Sequence, residues 1–226
     1  TLPSGGCSFI TSDIGKVIIQ PDPIISIQPI PSQSICEGGT IGTPLFVNYS
    51  GGVGTASYQW QNSGMNLAGA NASSFTPSGI TSPGTYSFSV VLSLSGSGCD
   101  SDTSQDAIIT VVPDPIVILQ PVSDTYCIGA VPVDTLVILA NGGIGTYGYQ
   151  WYSNTTNSNI GGILIGGATD STFIPSVNSI GTIYYYCEII QSGVNCNTVS
   201  SPASIVTTSA PTFTTQPIDS QSVFFN

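Results

Sequence analysis

Six cysteines and twelve carboxylates carry nearly all the reactive chemistry of this 226-residue chain, and what is missing beside them narrows its use. There is no His and no Arg, and Lys16 is the one basic side chain. Histidine bases, Ser-His-Asp triads and histidine metal sites are therefore impossible within these residues. A Lys–Asn isopeptide clamp would have to use Lys16, so it cannot recur along the chain. The acids are scattered singly, without the facing pair that glycoside hydrolysis needs. The glycines of 161–167 lack the Lys and Ser or Thr that follow in a phosphate cradle. We expect no catalytic residue, no metal site and no cofactor: the chain reads as non-enzymatic. A net charge of −11 repels a phosphate backbone, which excludes nucleic acid as a partner.

The cysteines lie in a polar sequence with no His and no CxxC pair, so they read as disulfide chemistry in an oxidising compartment rather than as zinc ligands. One acidic stretch, Cys99-Asp100-Ser101-Asp102-Thr103-Ser104-Gln105-Asp106, could offer oxygen ligands to calcium. Its counterpart, Cys196-Asn197-Thr198-Val199-Ser200, has no carboxylate, so a solvated loop is the better reading. Asp22 and Asp114, each between two prolines, read as turn formers.

These positions are set in a strand-rich frame. Charged residues are only 6% of the chain, 26 Gly and 16 Pro punctuate it, and the apolar residues are mostly Ile, Val, Tyr and Phe. Pro21-Asp22-Pro23-Ile24 recurs as Pro113-Asp114-Pro115-Ile116, and Gln28-Pro29 recurs as Gln120-Pro121 and Gln216-Pro217. Within that period Ile35-Cys36-Glu37-Gly38 answers Tyr126-Cys127-Ile128-Gly129, Ser50-Gly51-Gly52-Val53-Gly54-Thr55 answers Asn141-Gly142-Gly143-Ile144-Gly145-Thr146, and Tyr58-Gln59-Trp60 answers Tyr149-Gln150-Trp151. Repeat A thus covers 21–112 and repeat B 113–208. Residues 1–20 read as the end of a preceding repeat, with Cys7 in the place of Cys99, and 209–226 as the start of a following one.

Short β-branched and aromatic runs bounded by turn residues predict strands in repeat A at 24–28, 33–36, 44–50, 56–62, 73–77, 84–94 and 105–112, with counterparts in repeat B. Tyr86, Phe88 and Val90, aligned with Ile183, Tyr185 and Cys187, share one inward face, and Ser87 and Ser89 point outward. Trp60 and Trp151, Phe88, Tyr185 and Cys187 are the expected core. A Trp on the third strand and Tyr185 two positions before Cys187 match the immunoglobulin pattern. The expected fold is all-β, with tandem immunoglobulin-like β-sandwich domains. Cys187, whose counterpart is Val90, reads as a buried thiol beside Trp151.

The remaining cysteines leave two pairings open. One bridges within each repeat, Cys36 to Cys99 and Cys127 to Cys196. Against it, Cys36 and Cys99 fall at opposite poles of a sandwich, about 20 Å apart for a strand of about seven residues, whereas a disulfide needs Cα atoms within ~7 Å. The other pairs Cys36 with Cys196 across the short, proline-stiffened linker. Cys99 and Cys7 would then reach back to earlier repeats, and Cys127 forward.

The motifs Ile-Cys-Glu-Gly-Gly, Ser-Gly-Gly-Val-Gly-Thr, Tyr-Gln-Trp, Gly-Thr-Ile-Tyr-Tyr-Tyr-Cys and Asn-Cys-Asn, separated by Pro-Asp-Pro linkers, resemble repeats of very large Bacteroidota surface proteins, in style the SprB-type gliding adhesins of flavobacteria. The resemblance covers nearly the whole chain. It implies type IX secretion, an outer-surface filament and movement by the gliding machinery. It also implies O-glycosylation at Thr135 and Ser171, which sit in Asp134-Thr135-Leu136 and Asp170-Ser171-Thr172. The expected function is that of stalk repeats in a cell-surface filament or adhesin, with neighbouring repeats of the same chain as partners. The alternative is a ligand-binding module holding polysaccharide or a surface partner at Tyr147, Tyr152, Tyr184 and Tyr186, which fall mostly on outer faces. No apolar run approaches the ~18 residues of a membrane span, and no signal segment opens at Thr1, so secretion signal and anchor are expected elsewhere.

Overall fold

The computed structural model describes residues 12–96, 99–131, 133–215 and 220. Cys7, Gln216 and Pro217 lie outside them. Regular structure among the described residues is all strand, and it falls into two compact units. The first holds Gly42–Pro77, Tyr86–Ile108 and the described chain up to Ser32; the second holds Gln33–Ile41, Ser78–Thr85 and the described chain from Ile109 on.

In the first ten strands, β1 (Ile24–Ile27) pairs antiparallel with β4 (Asn48–Ser50), and β3 (Leu45–Phe46) with β7 (Ser74–Phe75). The larger sheet has the order β2 (Ser32–Cys36), β10 (Ala107–Val112), β8 (Gly84–Ser95), β5 (Thr55–Asn62), β6 (Met65–Asn66), with β9 (Asp102–Thr103) on β8. The inward residues of the first unit, Leu45, Val47, Trp60, Phe88, Val90 and Leu92, are all buried. Trp60 stacks on Phe75 at 5.6 Å, and its indole N–H donates to the Ala72 carbonyl at 2.8 Å.

The same plan recurs. β11 (Pro115–Leu119) pairs with β14 (Leu139–Gly142), and β13 (Leu136–Val137) with β17 (Thr172–Phe173). The larger sheet runs β12 (Asp124–Cys127), β20 (Ala203–Thr208), β18 (Gly181–Gln191), β15 (Tyr147–Asn154), β16 (Ile163–Leu164), with β19 (Asn197–Val199) on β18. β12 lies parallel to the last strand, β20, while β15, β18 and β20 are antiparallel. Between the sheets Leu136, Ile138, Trp151, Val177, Tyr185, Cys187, Ile189, Ala203 and Ile205 form one apolar cluster. Trp151 stacks on Phe173 at 5.6 Å and donates to the Asp170 carbonyl at 2.9 Å. Mostly antiparallel sheets around a buried Trp on β5 and on β15, with the early strand β12 parallel to the last strand β20, make the architecture immunoglobulin-like.

Two expectations are refined. The strand at 44–50 is two short strands, because Leu45–Phe46 pairs with β7 and Asn48–Ser50 with β1, and the residue between them, Val47, is buried and bonded through its N–H to the Ser73 carbonyl. Ser89 is on the outer face but is only 9% exposed, because it sits on β8, an inner strand of the sheet, opposite the longer Gln61. Being on the outer face is not the same as being in water.

Candidate functional site

Cys36, at the end of β2, and Cys196, in the loop before β19, form a disulfide with Cα atoms 5.4 Å apart and 160 positions between them in sequence. Both belong to the second compact unit. The bond joins a residue of repeat A to one of repeat B. Cys196 is 1% exposed. The Asp114 carboxylate lies with the two sulfurs inside a 4.8 Å cluster. Because the sulfurs are bonded to each other, neither offers the thiolate a metal would need, and the trio is a disulfide beside a carboxylate. Cys99 is half-buried, its sulfur 3.8 Å from the Pro21 carbonyl oxygen. Cys127 is an exposed thiol and Cys187 a buried one.

Cys187 pairs across the sheet with Trp151 and is fully enclosed. Burial pushes its thiol up to about 12, which keeps it protonated and inert. Tyr185 is also raised by burial, opposed by a hydrogen bond from the Ser176 backbone.

The recurring motifs are ties between strands. Gln59 donates through Nε2 to the carbonyls of Trp60 and Leu67, and Gln150 does the same to Trp151 and Ile165. The Gln of two Gln-Pro pairs accepts a distant backbone N–H through Oε1: Gln28 from Gln105, and Gln120 from Ser201, both at 2.8 Å. The two glycine loops close on the end of the long strand that follows. A Cβ on Gly52 (φ +67°) would stand 2.1 Å from Leu94 Cδ1, and one on Gly143 (φ +65°) 2.6 Å from Gln191 Oε1. Gln191, the counterpart of Leu94, is fully buried; it donates to the Ile144 carbonyl, and its Oε1 has no partner.

Sequence reasoning missed one pair. Ser104 and Ser200 are buried, and their hydroxyls accept the Val90 and Cys187 N–H at 3.0 and 2.9 Å, while their own N–H groups donate to the same residues' carbonyls. The signal was there: these serines recur with Cys99 and Cys196 at nearly equal offsets.

The acidic stretch is used structurally. Asp102 accepts the Ile25 N–H at 2.7 Å and its neighbour Thr103 N–H at 2.9 Å, and Asp22 accepts the Asp100 N–H at 3.1 Å. The tyrosine face is largely closed. Tyr186, expected to be available on an outer face, is 5% exposed, because it stacks on Tyr152 at 5.1 Å and its hydroxyl accepts the Gly162 N–H from the loop above it. Tyr152 donates to Glu188 at 3.0 Å, and Tyr147 to the Gly142 carbonyl. Tyr184 is half-buried. A groove of about 350 Å³ beside them is lined by Ser153, Asn154, Thr155, Gly161, Ile163 and Ile183, without a charged group. Thr135 is exposed just before β13, and Ser171 is half-buried, its carbonyl accepting the Ile138 N–H.

No family model matches the chain, and no curated protein does. Among solved structures it is similar to Sidekick-1 immunoglobulin domains 1–5 (19% identity over 89% of this chain and 42% of that one, TM-score 0.48). It is also similar to the titin I-band fragment I67–I69 (13%, 84% and 67%, TM-score 0.42) and to the fibronectin(III)-like modules of Clostridium thermocellum CbhA (12%, 83% and 93%, TM-score 0.39). The chain spans about half the length of the Sidekick-1 structures it matches. At these identities and TM-scores the likeness carries nothing about activity. No helix among the described residues is long and apolar enough to cross a membrane.

Proposed function

We propose that the chain is a stretch of stalk in an extracellular, cell-surface filament, in which immunoglobulin-like repeats 21–112 and 113–208 are strung end to end and stiffened by sulfur links. The observation that carries this reading is the Cys36–Cys196 disulfide, which fastens the two repeats covalently close to Asp114 of their linker. A bond of this kind persists outside the reducing cytosol. Among the described residues the recurring Gln, Ser and Trp positions tie strands of their own sandwich together, so the repeats act by extending and bearing tension. The gliding adhesins that the motifs resemble are filaments of this sort, with export by type IX secretion and O-glycans at Thr135 and Ser171 part of the same reading.

The test is immunogold labelling of the intact producing cell with antibodies against the 226-residue chain. Gold distributed along surface filaments is expected. Label confined to the cell interior, or to soluble secreted material with no filament, overturns the reading. The polysaccharide-binding alternative predicts retention on a glycan array that is lost in Tyr152→Ala, the stacked tyrosine with the more accessible ring; the stalk reading expects no retention.

A further inference from the structure

The thiol of Cys127 stands where the structure has already used its equivalent. Cys127 ends β12 as Cys36 ends β2, and the turns that follow share two backbone bonds. Ile128 N–H donates to the Thr208 carbonyl at 2.8 Å, as Glu37 N–H does to Val112 at 2.8 Å. Ala130 N–H donates back to the Cys127 carbonyl at 3.1 Å, as Gly39 N–H does to Cys36 at 2.9 Å. One of these two sulfurs is bonded to a loop cysteine, Cys196, and the other is an exposed thiol. The end of the unit around it is also apolar. Ile128, Val131 and Ile180 are 42%, 91% and 64% exposed, and the Gly129 N–H bond to the Val177 carbonyl ties the turn to the loop leading to Ile180. The positions aligned with these three in repeat A are Glu37, Thr40 and Pro83, less apolar as a set. Exposed aliphatic side chains at Ile128 and Val131, in the turn that follows Cys127, and at Ile180, in the loop tied to that turn, are a poor match for water.

We propose that this end of the second unit docks a further immunoglobulin-like repeat, the one that residues 209–226 open, and that Cys127 is the half-cystine that fastens it. The proposal rests on the tandem-repeat reading and adds the partner. The occupant is argued from the chain itself. After β20 the sequence resumes the repeat in register, with Pro211 in the place of Pro115 and Gln216-Pro217 in that of Gln120-Pro121. The docked unit carries a cysteine in the loop between its last two long strands, as Cys196 lies between β18 and β20. Forming the bond removes a proton and an electron from each thiol. Both pairs pass to a small-molecule disulfide of the oxidising compartment, whose S–S bond breaks to give two thiols.

The experiment extends the full chain with a second copy of 113–208, fused so that its Pro115 takes the place of Pro211. The appended copy carries Cys127→Ser, which leaves a single Cys127, and Val194→Ile, which marks its loop peptide by mass. The protein is oxidised with glutathione disulfide, alkylated natively, digested with pepsin and read by mass spectrometry. Expected are Cys36 linked to the unmarked Cys196, Cys127 linked to the marked one, and alkylation of Cys127 falling from complete in the unextended chain to none. Full alkylation of Cys127 beside an intact Cys36–Cys196 link overturns the proposal and leaves the filament-labelling test untouched. If the appended unit fails to fold, native alkylation of its Cys187 reveals it; residues 21–112 are then appended instead, with Cys99 as the expected partner and an alkylated Cys127 again overturning the proposal.

Discussion

Pulled from its two ends, the chain should stretch to two very different lengths depending on one bond. With Cys36 and Cys196 joined, the force path crosses the disulfide, and the 160 positions between them are shielded from tension. Their contour is about 550 Å at ~3.5 Å per residue, against which the 5.4 Å across the bond is negligible. In single-molecule force spectroscopy the oxidised chain should therefore release only the segments outside the loop, with β1 stripped from one sandwich and β19 and β20 from the other. Reduction, or Cys36→Ser, should add about 550 Å to the final extension and expose two unfolding events, one per sandwich. Equal contour lengths with and without reductant would refute the reasoning, because they would mean that the force path never runs through the sulfurs.

Other expected outcomes follow from the interior. Gln191→Leu removes a buried amide with an unpaired oxygen and installs the residue that repeat A carries at Leu94; it should be neutral or stabilising by about 1 kcal/mol in denaturant unfolding, and a loss of more than about 2 kcal/mol would count against it. Gly52→Ala drives a methyl into Leu94 at a positive φ, so a loss of about 2–4 kcal/mol is expected, read as a lowered unfolding midpoint; an unchanged midpoint would contradict the contact. Native alkylation of the intact chain should modify Cys127 quickly and leave Cys187 untouched until denaturant is added. The Cys187 thiol sits at 9.0 when unfolded and about 12 when folded, so the unfolded chain gives up its proton first and stability falls as pH rises from about 9 towards 12. In a Cys127→Ser background, which removes the exposed thiol, Cys187→Val should flatten that fall, and the tyrosines raised by burial leave a residual slope of the same sign.

Much of the sandwich could be read from residue order because its signals are local. Alternation along 84–94 and 181–191, a Trp after Tyr-Gln, and Gly-Gly before each third strand all announce themselves within a few positions. What escaped needed partners distant in sequence. Tyr186 alternates as an outward residue should, yet a loop 24 positions earlier closes over its ring. Ser104 and Ser200 look like ordinary loop serines until the strand 13 or 14 residues upstream is seen to use them. The disulfide is a third case. Spacing alone left two pairings standing, and only the three-dimensional approach of Cys36 to Cys196 separates them. The oxidising compartment followed from the cysteines and the missing His, whereas the expectations of glycosylation and export came from resemblance, because neither is written in the packing of a sandwich.

The ties contributed by Gln28, Gln59, Gln120, Gln150, Ser104 and Ser200 are made by amides and hydroxyls, groups that neither gain nor lose a proton in ordinary waters and attract no cloud of counterions. Over a wide range of salt and of pH these ties should therefore persist nearly unchanged.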